Sequence, residues 1–493
     1  DPSTGNPDGD EPRVADVSLH DHEGGAQNIF SGTPVETQRY SILSESIQQA
    51  GHETPFRKRK DEPLPCGRED TLKDQTSSQS VTGIKDQAEA QQSFMHRLLK
   101  SMIFKHLENL REGYLVIREG DRKHEFGQKG DRLHADISIH NPEFYADVAF
   151  GGSVGAGTAW MNGHFSCSHP ENLVRIFARN RAVLDQVDSG AGQVLQPFRR
   201  LLHALRRNTV DGSRKNISAH YDLGNEFFKL FLDRTLTYSS AIFPSESSSL
   251  EEGSIEKLDR ICRKLDLKPN DRLIEIGTGW GSMAIHAARN YGCHVTTTTI
   301  SEEQYQLAVE RVREAGLDSR ITVLKQDYRN LEGRWNKLVS VEMIEAVGHD
   351  YHETYFETIS RLLTPDGRAV IQAITMPDQR YDFARKNVDF IKHYIFPGCC
   401  IPSMARMTHC IATRTDLRLS HVEDITLHYA RTLKIWRESL MANWSRAKAQ
   451  GYGDDFLRLW EFYLAYCEGG FSERQIGTVQ LVMEKPSCGI AGV

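Results

Sequence analysis

Glycines at Gly277, Gly279 and Gly281, in "EIGTGWGS", stand between a strand-like run and a helix-like run. Glycine lets the backbone turn sharply and approach a ligand closely, and the following helix offers free N–H groups. An anionic or nucleotide-like ligand suits such a turn, although a purely structural turn is the other reading. The spacing is GxGxG rather than the GxGxxG of a dinucleotide site, and the next strand ends in "TTTTISEEQ" with no acid at its tip to hold a ribose. Thr299 and Gln304 lie there instead, and the third strand ends in "QDY", putting Asp327 and Tyr328 where an adenine would lie. A nucleoside without pyrophosphate fits this pattern better than a dinucleotide.

The elements that position these residues alternate from about residue 216 onward: "RLIEIG", a helix from Ser282 to Tyr291, "HVTTTTI", a helix from Glu302 to Ala315, "ITVLKQD", "KLVSVEMI", a helix around Tyr351 to Leu363, and "RAVIQAIT". Such alternation predicts an α/β fold, a parallel doubly wound sheet with its ligand at the carboxyl ends of the strands. Glu345 falls at one of those ends, where it could face the ligand or cap the next helix.

Upstream, Met95, Leu98, Leu99, Met102, Ile103, Leu107 and Leu110 recur at helical spacing. "YLVIREG", "LHADISIH" and "YADVAFGG" read as strands, "GGSVGAGTAWMNGHF" as a glycine-rich stretch, and "PENLVRIFARNRAVLDQV" as a helix with Pro170 in its first turn. Together they predict a small α+β domain. "VLQPFRRLLHALRRN" sets Val194, Leu195, Phe198, Leu201, Leu202 and Leu205 beside Arg199, Arg200, Arg206 and Arg207, either a packing helix or a basic amphipathic segment for an anionic membrane. The expected layout is a disordered polar tail over 1–92, the small lipid- or membrane-associated domain over 93–208, a catalytic domain over 209–485 and a short tail over 486–493. "FRKRK" within the first tail reads as a solvated charge run.

A net charge of −7 and a pI near 6.3 argue against a generally basic nucleic-acid binder. The cysteines are odd in number and scattered without a CxxC pair, so reduced thiols and no metal are expected, the adjacent Cys399 and Cys400 included. No apolar run approaches the ~20 residues that span a bilayer.

The glycine motif from Glu275 to Gly281, "TTTISEEQ" and "KQDYRNL" resemble the S-adenosylmethionine-binding core of the cyclopropane fatty acid synthase family. So do "ISAHYDLGNEFFKLFLDRTLTYSSAIF", "VSVEMIEAVGHDYHETYF", "YIFPGCCIPS" and "LHYARTLKIW", and the resemblance spans about residues 94 to 485. It implies a Rossmann-like methyltransferase domain in which Tyr238 and Ser239 close over S-adenosylmethionine. Glu275 would belong to the cofactor site, the three glycines would serve the methionine portion, Thr299 and Gln304 the ribose side, and Asp327 with Tyr328 the adenine edge.

In that family an acyl-chain alkene attacks the sulfonium methyl, and a bound bicarbonate takes a proton from the new methyl as the ring closes. The resemblance places that anion among Cys, Glu, His and Tyr side chains and one backbone amide. Glu345, Tyr429 and the amide of Ile374 match; Ser240 stands for the cysteine, Gln372 for the histidine, and Ala346 where a histidine usually follows the glutamate. Serine and glutamine can still bind an anion, but Gln372 cannot carry a proton, so the departures bear on deprotonation more than on methyl transfer. Tyr221, Phe227, Phe228, Tyr238 and Phe243 could line the acyl pocket or belong to the core. The implied activity is cyclopropanation of cis-unsaturated phospholipid acyl chains by a cytoplasmic, membrane-peripheral enzyme, with a homodimer in keeping with the family. Methylation to a methylene- or methyl-branched chain, N-methylation of a small amine, and a non-catalytic lipid-binding role are the alternatives.

Overall fold

Residues 94–107 form the expected first helix, α1, in a computed structural model that describes residues 94–181 and 224–489. Its buried stripe is narrower than the sequence spacing suggests. Leu99, Ile103 and Leu107 are buried at i, i+4, i+8, whereas Met95, Leu98 and Met102 face outward. Strands β1 (Tyr114–Glu119), β2 (Arg122–Gly127), β3 (His134–Ile139) and β4 (Phe165–Cys167) form a sheet of order β2-β1-β3-β4. The sequence reading missed β2 because only Phe126 of that edge strand is buried, leaving no apolar alternation to see.

"YADVAFGG" is not a strand. It lies in helix α2 (Glu143–Met161), which also absorbs much of the glycine-rich stretch and kinks at Gly152, where φ is 53°. Small residues serve packing here: a Cβ on Gly157 would sit 2.3 Å from the buried ring of Phe390, and one on Gly155 would sit 1.8 Å from the Asp147 carbonyl oxygen. Helix α3 (Pro170–Arg179) starts at its proline as expected. The 1–92 tail, the "FRKRK" run, the basic segment, Tyr221 and the 208/209 boundary lie outside the described residues.

Helix α4 (Leu250–Leu265) begins with a capping box: the Ser249 hydroxyl accepts from the Glu252 N–H, and the Glu252 carboxylate accepts from the Ser249 N–H. There follow β5 (Arg272–Ile276), α5 (Ser282–Tyr291), β6 (His294–Thr299), α6 (Glu302–Glu314), β7 (Ile321–Lys325), β8 (Trp335–Val341), α7 (His352–Leu362) and β9 (Leu363–Thr375). Then come β10 (Arg418–Asp424), α8 (Thr426–Ala442), α9 (Asp454–Ser472) and β11 (Gly477–Glu484). The large sheet has the order β10-β11-β9-β8-β5-β6-β7, with β5 to β9 parallel and β10 and β11 antiparallel at one side. Strand order reverses between β5 and β8, and in open parallel sheets ligands bind at the carboxyl ends beside that reversal.

The small sheet's layer packs on α8 and α9 through one apolar core, in which Trp160 and Phe165 join Trp436, Trp460 and Phe471, while each face of the large sheet has a core of its own. Arg175 and Arg179 of α3 both bind Glu473 just beyond α9, at 2.8 and 2.9 Å. Among the described residues no helix is long and apolar enough to cross a membrane.

Candidate active site

The turn after β5 is built from backbone. Gly277, Gly279 and Gly281 have φ of 99°, 52° and 88°, a region that L side chains rarely adopt. The N–H groups of Gly277 and Thr278 both donate to the carbonyl of Thr298, tying the turn to β6 at 3.1 and 3.0 Å. A Cβ on Gly279 would meet nothing within 4 Å, because that glycine faces open space, whereas a Cβ on Gly277 would press on Met343 at 3.1 Å.

The open space is a cavity of about 510 Å³, within the ~300–1,000 Å³ usual for small-molecule sites. Its wall includes Tyr238, Ser239, Glu275, Gly277, Gly279, Thr299, Gln304, Asp327 and Tyr328, and also Glu345, Ile374 and Tyr429. The same wall takes in apolar Met376, Ile391, Phe396, Leu433 and Tyr463, with Arg380, Arg385 and the exposed Phe383 on one helix, Asp378–Lys386. Gly281, Ser240 and Gln372 do not reach it. Gly281 starts α5 against Ala308 of α6, which a Cβ would approach to 3.5 Å. Phe227, Phe228 and Phe243 are not on this wall either. Phe227 and Phe228 pack against Phe231 and Trp460 in the core, and Phe243 against His428.

The candidate cofactor residues are held by one another. The Thr299 hydroxyl donates to Gln304 at 2.9 Å, and Arg329 grips both carboxylate oxygens of Asp327 at 2.9 and 2.7 Å. Tyr238 stacks on Trp436 with ring centroids 5.3 Å apart, its hydroxyl 3.0 Å from that of Tyr463. Glu275 is fully buried and accepts from Thr297 at 2.6 Å; burial lifts its pKa to about 8 against the opposing effects of Thr297 and Lys257. Lys257 on α4 is itself buried and donates to the Ser239 hydroxyl at 2.9 Å, and burial lowers its pKa to about 8.

Opposite this cradle, just past the end of β8, the structure places a residue that the sequence reading passed over. Glu342 has a φ of 50°, a left-handed value unusual for a non-glycine, and its carboxylate accepts three hydrogen bonds. They come from the Ser240 N–H at 3.0 Å, the Gln372 side-chain amide at 2.8 Å and the Tyr429 hydroxyl at 2.7 Å. Gln372 is in turn fixed by the Gln480 amide at 2.9 Å across the β9–β11 pairing. The Ser240 hydroxyl is spent on the Ala241 carbonyl at 3.0 Å. Glu345 accepts from the Ile374 N–H through one oxygen, while its other oxygen is buried with no hydrogen-bond partner. Burial, and then the charge of Glu342, push Glu345 to about 8. The signal in the sequence was a second acid three residues before Glu345 at a strand's carboxyl end.

The residues present fit S-adenosylmethionine. The glycine turn leaves space that side chains would fill, and Asp327, Thr299 and Gln304 put polar atoms on the wall at the ends of β6 and β7. They do not fit a bicarbonate ion: Ser240, Gln372 and Tyr429 already hold the carboxylate of Glu342, whose charge would repel a second anion. Among the described residues no cluster of His, Cys, Asp and Glu could hold a metal ion. Cys399 and Cys400 are buried, with burial raising both thiols above the ordinary range.

A doubly wound sheet with a glycine turn at its switch point and a nucleoside-sized cradle defines a class I S-adenosylmethionine-dependent methyltransferase. The sequence pattern described as mycolic acid cyclopropane synthetase matches residues 209–481, and the chain belongs to that family. It is 35% identical over 364 residues to a tuberculostearic acid methyltransferase of Mycobacterium tuberculosis, covering 71% of this chain and 84% of that one. It is also 35% identical over 358 residues to the cyclopropane-fatty-acyl-phospholipid synthase of Escherichia coli K12, covering 71% and 88%. The crystal structure of mycolic acid cyclopropane synthase CmaA1 complexed with SAH and CTAB superposes with a TM-score of 0.52 at 31% identity, covering 55% of this chain and 98% of that one.

Proposed function

We propose that the enzyme transfers the methyl group of S-adenosylmethionine to a cis double bond in a phospholipid acyl chain and closes it to a cyclopropane. The observation that carries this reading is a single cavity whose wall joins the glycine turn, the carboxylates of Glu342 and Glu345, and an apolar surface. Bound at the turn, S-adenosylmethionine supplies an electrophilic methyl group. The chain's own residues then have three tasks. The apolar side chains Met376, Ile391, Phe396 and Leu433 exclude water and align an acyl chain, which matters because a π bond is a weak nucleophile. The faces of Tyr238, Tyr429 and Tyr463 offer negative potential to a developing cation without trapping it covalently. A carboxylate must accept the proton that the transferred methyl loses.

The named relatives support the acyl chain as substrate class, and Phe383 beside Arg380 and Arg385 suits a protein that works at a phospholipid surface from the cytoplasmic side. A second reading, methylation without ring closure, is favoured by the relative named for tuberculostearic acid and by the Glu342 carboxylate standing among Ser240, Gln372 and Tyr429. The test is to incubate the full chain with S-adenosylmethionine and vesicles of cis-monounsaturated phospholipid, then analyse the fatty esters by mass spectrometry and NMR. Esters heavier by one methylene with ring-proton signals support cyclopropanation; vinylidene signals support the second reading. No mass gain, with the cofactor bound, contradicts both.

A further inference from the structure

Glu342 combines two features that a merely structural residue does not need. It holds a left-handed backbone conformation at φ 50°, unfavourable for a non-glycine residue, and it places a half-buried acid on the cavity wall in doing so. In return its carboxylate reaches three donors, Ser240 N–H, Gln372 and Tyr429, on three of the residues that the family resemblance places around a bicarbonate ion, Ser240 here through its backbone rather than its side chain. A carboxylate and a bicarbonate present the same planar pair of oxygens, so one covalently attached group satisfies the donors that would hold a free one.

We propose that Glu342 is the proton-accepting base of this enzyme, a built-in carboxylate in place of a dissociable bicarbonate. The proposal rests on the methyl-transfer reading. The alkene's π pair forms a bond to the methyl carbon as the carbon–sulfur bond breaks and its electrons stay on sulfur. A C–H bond of that methyl then breaks and the proton passes to a Glu342 oxygen; the pair closes the ring onto the neighbouring cationic carbon, or, where a 1,2-hydride shift has first moved the cation onto the methyl-bearing carbon, forms a terminal methylene double bond. Reprotonation equilibrium with solvent regenerates the carboxylate, so the net products are the modified acyl chain, S-adenosylhomocysteine and a proton.

The surroundings divide the two acids. Glu342 has three donors and the nearby buried ammonium of Lys257, whereas Glu345 has one donor and an unpartnered oxygen. Glu345 is therefore the one that keeps its proton at neutral pH, pushed to about 8 by burial and by the charge of Glu342. Burial also raises Glu342 above the ordinary carboxylate range, which strengthens it as a base.

The test uses the full chain, S-adenosylmethionine and unsaturated phospholipid vesicles in buffer stripped of carbon dioxide, with millimolar bicarbonate added back. The wild type is expected to turn over equally with and without bicarbonate. Glu342→Gln should lose turnover roughly a hundred- to ten-thousand-fold, with cofactor binding by calorimetry unchanged. Glu342→Gly, which relieves the strained φ and empties the site, should regain at least about tenfold of its lost activity on adding bicarbonate. Wild-type turnover that collapses without bicarbonate, or Glu342→Gln that keeps the wild-type rate, overturns the proposal. No product from the wild type under any condition sinks the transfer reading and the base with it, whereas bicarbonate-dependent product sinks the base alone.

Discussion

The two sides of the cavity are made by different means. On the β5–β6 side the ligand surface is backbone, held open by glycines with positive φ and tied to Thr298 by two amide hydrogen bonds. On the β8–β9 side it is side chain: the acids Glu342 and Glu345 and a tyrosine from α8, with the Gln372 amide of β9 behind them, groups that meet only in three dimensions. Backbone cradles are written in local sequence, because glycine spacing and the following helix suffice to build them. Side-chain clusters of this kind depend on strand order and register, and one substitution can change which group is the reagent. On this account the first side binds and the second reacts, and each can be disabled separately.

The largest expected effect is on the reacting side. Glu342→Gln keeps the shape but not the basicity, and its turnover loss should leave the cofactor Kd within about threefold. A loss of binding to match the loss of turnover would dissolve the division. Gly277→Val attacks the other side, because its Cβ must take a φ of 99° and press on Met343. Strain of ~1–3 kcal/mol corresponds to roughly ten- to a hundredfold weaker cofactor binding by calorimetry.

A smaller effect is expected from Gln372→Leu, which removes one of three donors to Glu342 and strands the Gln480 amide. Turnover should fall about five- to tenfold, for the ~1 kcal/mol of one hydrogen bond, and cofactor binding should not change. The smallest effect is a stability change. The pKa of Glu345 in the folded state, about 8, lies above its ordinary 4.5, so the folded protein keeps a proton that the unfolded chain has lost. The stability this contributes is full below pH 4.5 and is lost as pH rises toward 8. Glu345→Gln does not titrate, so its melting temperature relative to wild type should improve by a few degrees between pH 5 and pH 8. A constant difference across that range would mean that Glu345 is ionised in the fold.

Much of the large sheet was legible. Arg272–Ile276, Ser282–Tyr291 and His294–Thr299 stand where the alternation of strand-like and helix-like runs around the glycine turn put them, β6 being legible by its β-branched valine and threonines. The four-stranded sheet was less so: β2 has a polar edge, and α2 hides a helix under glycines that are there for close packing on Phe390. At the site, Glu345, Ile374 and Tyr429 reach the cavity wall, but Ser240 and Gln372 stand behind it as holders of Glu342. Motif matching follows the positions a family uses. It gives no reason to look at Glu342, whose role rests on contacts with residues 30 and 87 positions away.

The most direct measurement of the central claim uses S-adenosylmethionine carrying a trideuterated methyl group, with the wild-type chain and cis-monounsaturated phospholipid vesicles. If a carboxylate beside the methyl removes its proton, the added carbon in the product retains two of the three deuteriums, in a ring or a terminal methylene. Retention of all three, or no label in the acyl chain while the cofactor remains bound, would contradict the account.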